Sequence, residues 1–570
     1  MPSLRALAAS GSVWRTRGAG ALIVLSAVVS CWPTLHADYL GDDFGYVRLF
    51  HDKPLASFFR LGDISEGIWG RPLDELRPAF ALSFKLGLLV HGADPRGFHL
   101  TNILLHALCA ALVWALLRTA APAARAAALL AGLLFAVAPV HSEAVSWVTG
   151  KVDLLPTTFY LATLWLFVRF RARSQRKDLA LAGLVFVVGL FTKEILITLP
   201  VLLVAYDLLR PTWTDGFWPG RSLRRLAAVH TPFFAAAAGF LGLRGLVFDS
   251  FAREGRLGLP RLWHFVEQQP ERLRALLLPV EPGAPGAALA AALTVGILAG
   301  AIAWLVRRRR DLAPTWGLLL FFGLAWYAVT MAPLIVTYVS SRHLYLPSCA
   351  AAVSVALVLF PVARPGAIPP SGRWRRAAAL LLLALNGRLL ALHNDDWVRA
   401  GTFSARARTQ AAAAIASLPD DSVVLLSGFP GTERRRTVWK FALPFALQPP
   451  FVARDVYGPH RVLEWPDLYA RPLAHWWRAK RPWLTELLDG DPDQRLTLHV
   501  LRWNPRRQRV VLRRSRHRRG FLRAQAIKAV GEPLTRLESI DAGQASRLVQ
   551  GLIRAARARS QPLRSPNTGG

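Results

Sequence analysis

Cysteine is scarce: the 570-residue chain has three, Cys31, Cys109 and Cys349, each inside an apolar block. They imply no disulfide framework and say little about redox compartment. Acidic residues are few as well, 36 Asp and Glu against 70 Lys and Arg, for a net charge of +34. Lysine is rare beside arginine, and alanine and leucine abound, as in proteins of GC-rich genomes. The arginine count alone therefore argues little for an anionic partner. No internal repeat of 20–50 residues is visible, which argues against a solenoid or propeller. The stretch SGFPGTE (427–433) follows a strand-like run but lacks the Gly-Lys-Ser/Thr of a phosphate loop, so nucleotide binding there is set aside. Arg5, Arg15 and Arg17 precede an apolar stretch from Ala19 to Trp32, yet no clear small-x-small cleavage site follows it. An uncleaved first span is expected rather than a signal peptide.

Long apolar runs, by contrast, are plentiful. Hydrophobic residues make up 53% of the chain and the mean hydropathy is +0.30. They fall in blocks of roughly 18–22 residues, the helical length that crosses about 30 Å of hydrocarbon. The expectation is an all-α polytopic membrane protein of about eleven spans, near 19–36, 98–117, 126–146, 154–170, 179–194, 195–209, 227–247, 285–306, 314–334, 344–361 and 376–393. Basic residues fall in every second connection: the N-terminal arm, Arg118–Arg125, RFRARSQRK (169–177), Arg210–Arg225, RRRR (307–310) and RWRR (373–376). That phase puts the N-terminus in the cytoplasm and the segment after about Asn394 outside it.

The opposite connections differ in character. The first, residues 37–97, carries Asp42, Asp43, Asp63, Glu66, Asp74 and Glu75. Shorter ones carry PVHSEAVSWVTGKVD (139–153), TKE (192–194) and TYVSSRH (337–343). Ionisable groups at membrane depth are costly unless paired or facing a cavity, so four such loops on one face suggest a shared extracytoplasmic site. After Asn394 the hydropathy falls. Residues 402–418 read as a helix, SVVLLSG (422–428) as a buried strand, and RLTLHVLRW with RQRVVLRR as a hairpin around NPR. The expected organisation is a membrane domain over 1–393, a small extracytoplasmic α/β domain over 394–560, and a Ser/Pro/Gly-rich disordered tail over 561–570.

Each polar group has a chemical and a structural reading. A carboxylate of the Asp42–Asp43 pair at a desolvated membrane edge gains basicity and suits a general base; equally, two acids suit the N-terminus of a helix starting at Phe44. Arg71 and Arg77, in GRPLDELRPAFALSF, could fork a phosphate or anchor the interface beside Asp74 and Glu75. His99, Asn102 and His106 share one helical face, which must meet a cavity or a neighbouring helix. Two imidazoles seven residues apart are too distant along a helix to share one ion easily. His141, Glu143, Lys151 and Asp153 could form an ordinary polar loop with an internal ion pair. Lys193 and Glu194 are adjacent, so they do not face each other on a helix and at least one looks inward. The nine arginines between Arg502 and Arg519 fit a solvated hairpin face, or contact with anionic lipid or glycan, better than nucleic acid outside the cytoplasm.

Taken in order, these segments resemble the GT-C class of membrane glycosyltransferases, and within it the membrane domain of the tetratricopeptide-repeat protein O-mannosyltransferases and their bacterial relatives. The resemblance rests on GDDFGYV, RPAFALSF (77–84), GADPRGFHLTNILLH (92–106), PVHSEAV, GKVDLL, the Lys193–Glu194 pair and RHLYLPS (342–348). It covers about residues 35–350. Lys151 stands where the family usually has arginine, Ser341 where an acid usually precedes the arginine, and no tetratricopeptide repeats follow. The resemblance implies transfer of a sugar, with inversion, from a polyprenyl-phosphate-linked donor to a hydroxyl of a protein, lipid or glycan acceptor outside the cytoplasm. Asp42 or Asp43 would be the base, with a slight leaning to Asp43. Arg77, by its spacing the family arginine, would hold the departing phosphate with Lys193 or Arg342. His99, Asn102, His106, His141, Glu143, Lys151, Asp153, Glu194 and Tyr345 would line the substrate pocket. No cofactor is required, though magnesium or manganese at the Asp pair is allowed. The expected setting is a bacterial inner membrane with no nucleic-acid partner. A transporter or flippase of a lipid-linked sugar is the rival reading, but it predicts repeated halves and polar groups at span midpoints.

Overall fold

The computed structural model describes residues 4–59, 75–214, 223–248, 259–278, 287–336, 339–364, 372–433, 436–439, 442–463, 482, 484–530, 542–558 and 561–562. Arg71, Asp63, Glu66, Asp74 and the tail beyond Pro562 lie outside the described residues.

Helices dominate the first 416 residues. They are α1 (Leu4–Cys31), α2 (Asp42–Asp52), α3 (Pro78–His91), α4 (Pro95–Ala120), α5 (Arg125–Ala136), α6 (Lys151–Arg173), α7 (Arg176–Leu190), α8 (Leu199–Leu209), α9 (Leu223–Phe248), α10 (Leu259–Glu267), α11 (Gln269–Leu277), α12 (Ala287–Arg307), α13 (Ala313–Leu318), α14 (Trp326–Met331), α15 (Ser348–Leu359) and α16 (Arg373–Ala416). A π-helical stretch, Leu319–Ala325, joins α13 to α14. Helical segments occur at each of the eleven expected places. Among the described residues, however, seven are long and apolar enough to cross a membrane alone, and α5 with the segment after it makes an eighth as a pair bent by 44°. The shortfall is physical. The 15-residue α7 and the 12-residue α15 are short, and Lys151, Asp153 and several threonines lower the apolarity of α6. The chain is thus a multi-pass helical membrane protein.

Two expected elements are one. The span at 376–393 and the helix at 402–418 run together in the 44-residue α16. At 1.5 Å per residue it is about 66 Å long, roughly twice the hydrocarbon thickness, so its second half projects beyond the membrane. That half meets the first outer loop closely. A Cβ at Gly401 would lie 2.4 Å from the Asp38 amide nitrogen. Arg408 pairs with Asp38 at 2.9 Å, and Ser404 donates to the Tyr39 carbonyl. Farther back, Asn394 accepts from Ser146 at 3.0 Å and donates to the Ser30 carbonyl at 3.1 Å.

Beyond α16 lies a small α/β region. Strands β1 (Val423–Ser427), β4 (Arg461–Leu463), β5 (Arg495–Asn504), β6 (Arg509–Arg518) and β7 (Gln561–Pro562) form a mixed sheet of order β4-β1-β5-β6-β7; β2 (Thr432–Glu433) and β3 (Arg436–Thr437) form a separate ribbon. The expected strand and hairpin are β1 and β5–β6. One sheet face, with Leu501 and Trp503, packs on Phe403, Ala407 and Ala411 of α16. The other, with Leu498 and Val500, is covered by α17 (Arg519–Val530) and α18 (Ala542–Ala558). Successive side chains of β5 alternate between these two faces, and because both faces are covered, residues 498–501 are all buried.

Gly401 is where α16 and the loop leading to Asp42 touch backbone to side. Gly401→Val is expected to cost about 1–3 kcal/mol, the usual range for overpacking, and to lower the thermal midpoint of the detergent-solubilised protein. An unchanged midpoint would show that this contact does not hold the loop.

Candidate active site

The first outer loop turns into α2 at Gly41, whose φ of +56° favours glycine because a Cβ is strained there. The next two residues diverge. Asp43 is buried, and its Oδ2 accepts the Leu40 amide at 2.9 Å. Its Oδ1 accepts both the amide (2.7 Å) and the hydroxyl (2.5 Å) of Thr149. Burial outweighs these bonds and, with Asp42 nearby, pushes the Asp43 carboxyl up to about 7. Asp42 is half-buried and lines a cavity of about 460 Å³. The two readings of the pair thus separate: Asp43 staples the helix start to the 147–150 turn, while Asp42 faces open space.

Residues from all four polar loops line that cavity. Arg77, at the N-terminal end of α3, approaches Glu194 at 2.7 Å and Glu75 at 3.1 Å. Lys193 pairs with Asp153. Arg342 reaches Asp153 at 3.3 Å and Glu143 at 3.6 Å, and lies over the Trp147 ring at 5.2 Å. Ser341 offers no local partner, but α6 and the 139–146 segment supply one from a distance. Arg244 of α9 also lines the cavity and meets Glu194 at 3.4 Å. His343, another lining residue, is held well below its usual pKa by burial and by Lys193, so it adds no charge near neutrality. Ile195, Ile197, Leu241, Leu334 and Val336 supply an apolar wall.

The remaining motif residues stand behind the wall. Asn102 donates to the carbonyls of Val145, Trp147 and Val148. His106 donates from Nε2 to the Ala136 carbonyl and meets the Tyr345 hydroxyl at 2.7 Å. His141 lies 2.6 Å from the Ser348 hydroxyl. His99 is buried, and Lys151 sits over the rings of Phe84 and Phe98 at 4.8 and 5.4 Å. Glu143 borders a second, smaller recess with Ser341 and Arg274. Of the expected pocket set, Asp153 and Glu194 line the large cavity, while Asn102, His106, His141 and Tyr345 brace the loops that form it.

Arg244, Glu75 and Tyr46 line the cavity without belonging to the motif-derived set. Arg244 had a signal, as the single arginine within the expected span 227–247. Tyr46 sits within GDDFGYV, but nothing in the sequence says which face of α2 turns inward.

Both Asp43 oxygens already accept hydrogen bonds, so of the pair Asp42 would be the carboxylate to meet a divalent cation, whose other oxygens would have to come from water or substrate. Among the described residues no group of three His, Cys, Asp or Glu side chains could hold a metal.

Residues 72–228 match the family model described as dolichyl-phosphate-mannose-protein mannosyltransferase. Similar curated proteins are the protein O-mannosyl-transferases Tmtc1 and Tmtc2 of Drosophila melanogaster. The first is 33% identical over 193 residues, 32% of this chain and 22% of that protein. The second is 38% identical over 159 residues, 26% of this chain and 17% of that protein. The chain spans about a fifth of the length of these relatives. A crystal structure of ArnT from Cupriavidus metallidurans bound to undecaprenyl phosphate overlaps 84% of this chain and 92% of its own, at 16% identity and a TM-score of 0.40. The resemblance read from the motifs is therefore shared by the sequence comparisons, and it centres on the segment from the outer-loop arginine to α9.

Asp43 gives a pH signature. Its folded pKa lies above its ordinary 3.8, so its contribution to stability is fully present below about pH 4 and is lost as pH rises through about 7. Thermal midpoints of the wild type should fall across that window relative to Asp43→Asn, which lacks the titration. Parallel profiles for the two proteins would refute the shifted carboxyl.

Proposed function

We propose that this protein is a GT-C-type membrane glycosyltransferase that moves a sugar from a polyprenyl-phosphate-linked donor to an acceptor hydroxyl, with inversion and with Asp42 as general base. The reading includes a bacterial cytoplasmic membrane, a cytoplasmic N-terminus, and an extracytoplasmic α/β domain following the membrane domain from about residue 394. The observation that carries it is a single cavity in which the half-buried Asp42 shares the walls with Arg77, Lys193, Arg244 and Arg342 beside an apolar surface. The family match over 72–228 supports the same class. The leaning towards Asp43 gives way to Asp42, because a base must reach its substrate and Asp43 is buried with both oxygens engaged.

In this reading the prenyl chain lies along Ile195, Leu241 and Leu334, and the donor phosphate exchanges into the ion pairs of Arg77, Lys193 and Arg342. Planar guanidinium groups match phosphate oxygens bidentately and already sit oriented by Glu75, Glu194, Asp153 and Glu143. The acceptor hydroxyl gives its proton to Asp42, and its oxygen forms a bond to the anomeric carbon from the face opposite the phosphate. The carbon–oxygen bond to phosphate breaks, and its electron pair leaves on the phosphate oxygen, where the cations meet the developing charge. The acceptor is a protein, lipid or glycan hydroxyl, and the sugar is a hexose.

The test is transfer from labelled polyprenyl-phosphate sugars to an acceptor extract in membranes carrying the protein. Asp42→Asn should lower transfer by about 10²–10⁴-fold, the usual worth of a general base, with the thermal midpoint unchanged. Full activity in that variant would reject the base. Absence of transfer from every lipid-linked sugar, with uptake of sugar into proteoliposomes, would favour a transporter.

A further inference from the structure

Helix α10 (Leu259–Glu267) has nine residues, about 14 Å of helix, and is too short to cross a bilayer. Yet its apolar side chains are left uncovered among the described residues. Leu259, Leu262, Trp263 and Val266 are 82, 45, 65 and 49% exposed. Spacings of three and four put them in one arc about 100° wide. Phe265 and Arg261 lie on a second side, against the protein. Phe265 packs on the cluster of Met331, Leu334 and Leu344, and Arg261 donates to the Val336 carbonyl at 3.4 Å. His264 and Glu267 form a third side, polar and exposed.

Water accounts for the third side alone. Four large apolar side chains gathered in one arc are costly in water and invite association. A helix of a soluble protein would turn that arc to its core, but here the core takes Phe265 from a different side. The residues that share this exposure are on the membrane spans: Leu246 near the end of α9, Leu289 of α12 and Leu324 beside α14 are exposed as well. In sequence α10 lies between α9 and α12, both long and apolar enough to cross a membrane. The apolar arc thus continues the lipid-facing surface of the chain. Trp263, with an apolar ring and an indole N–H, suits the level of the headgroups. The helix is also held in place. Beside it, Gln269 accepts from the Tyr327 hydroxyl of α14 at 2.7 Å, and Arg272 lies over the Phe265 ring at 4.7 Å.

We infer that α10 is an interfacial helix that lies in the bilayer surface on the side of the Asp42 cavity, with Leu259, Leu262, Trp263 and Val266 inserted among the lipid chains. Its partner is a phospholipid surface. A helix with one side on protein, one in lipid and one in water needs the three chemistries that α10 carries in three separate arcs. The turn it braces supplies Leu334 and Val336 to the apolar wall of the cavity. Seated in this way, α10 fixes that wall at the level where the lipid chains meet their headgroups. The inference goes beyond the reaction proposed above and stands without it.

The test places spin labels on the full-length protein in phosphatidylcholine nanodiscs, through Leu262→Cys, Trp263→Cys, Val266→Cys, His264→Cys and Glu267→Cys, one at a time. Cys31, Cys109 and Cys349 are buried, and the unsubstituted protein measures whatever label they take. Paramagnetic resonance reads collisions with oxygen, which concentrates in lipid, and with a nickel chelate, which stays in water. Labels at 262, 263 and 266 should favour oxygen and lie about 5–10 Å below the headgroup boundary. Labels at 264 and 267 should favour nickel. Nickel access at all five positions overturns the inference, because the arc then lies in water. Protection of 262, 263 and 266 from both reagents also overturns it, since a second copy or another protein then covers the arc. So does a depth at the bilayer centre. Thermal midpoints report whether each variant folds. Should the variants at the apolar positions misfold, the unsubstituted protein gives the answer: a phospholipid with a photoactivatable diazirine in its acyl chain should label residues 259–266, as read by peptide mass spectrometry, and absence of label there overturns the inference. None of these readings depends on sugar transfer.

Discussion

The Asp43 carboxylate accepts from Leu40 and twice from Thr149, and so joins two loops that are 106 residues apart in sequence. Much of the cavity depends on this joint. It fixes the start of α2, which sets where Asp42 faces, and it holds the 147–150 turn, which carries Trp147 and Thr149 into the cavity wall. Trp147 tightens the same joint by donating from its indole to the Leu40 carbonyl at 2.9 Å. A buried carboxylate is tolerated only when its oxygens are satisfied, and three donors supply that here. Side-by-side acids in a loop thus need not share a role: Asp43 is buried among its donors, while Asp42 lines the cavity.

A second constraint is charge balance. The cavity gathers four cations, but Glu75, Asp153, Glu194 and Glu143 engage them at the distances of ordinary ion pairs. Burying isolated guanidinium groups would be prohibitive, whereas paired ones can be held ready and oriented. In the proposed reading, pairing would also make the site selective, since an incoming anion must offer more than the carboxylate it displaces.

The polar stripe of α4 braces the segments behind the cavity wall. Asn102 gathers three carbonyls of the 145–148 segment, and His106 bridges Ala136 to Tyr345. These bonds satisfy backbone groups of an irregular segment buried against the helices, where no water is at hand to do so. The sequence pattern is specific because the loop geometry is specific.

The sequence by itself determined the membrane class, the approximate places of the helices, the strand and hairpin after α16, and the face on which ionisable residues collect. These follow from local properties: apolar length, charge alternation between loops, and the period of hydrophobic residues along a strand. It also brought Arg77, Lys193, Glu194, Asp153 and Arg342 into one group, through motif order. Only the tertiary structure decided the rest. It divided Asp42 from Asp43, since two adjacent residues on a helix point about 100° apart and only a partner such as Thr149 selects which is buried. It fused two expected helices into α16, because no proline interrupts the junction between them and Gly401 is carried within the helix. It added Arg244 and Tyr46 to the cavity and moved His106, His141 and Tyr345 behind it. Composition and spacing describe one chain segment at a time, whereas a cavity wall is a property of several segments meeting, and that meeting is set by contacts between residues far apart in sequence.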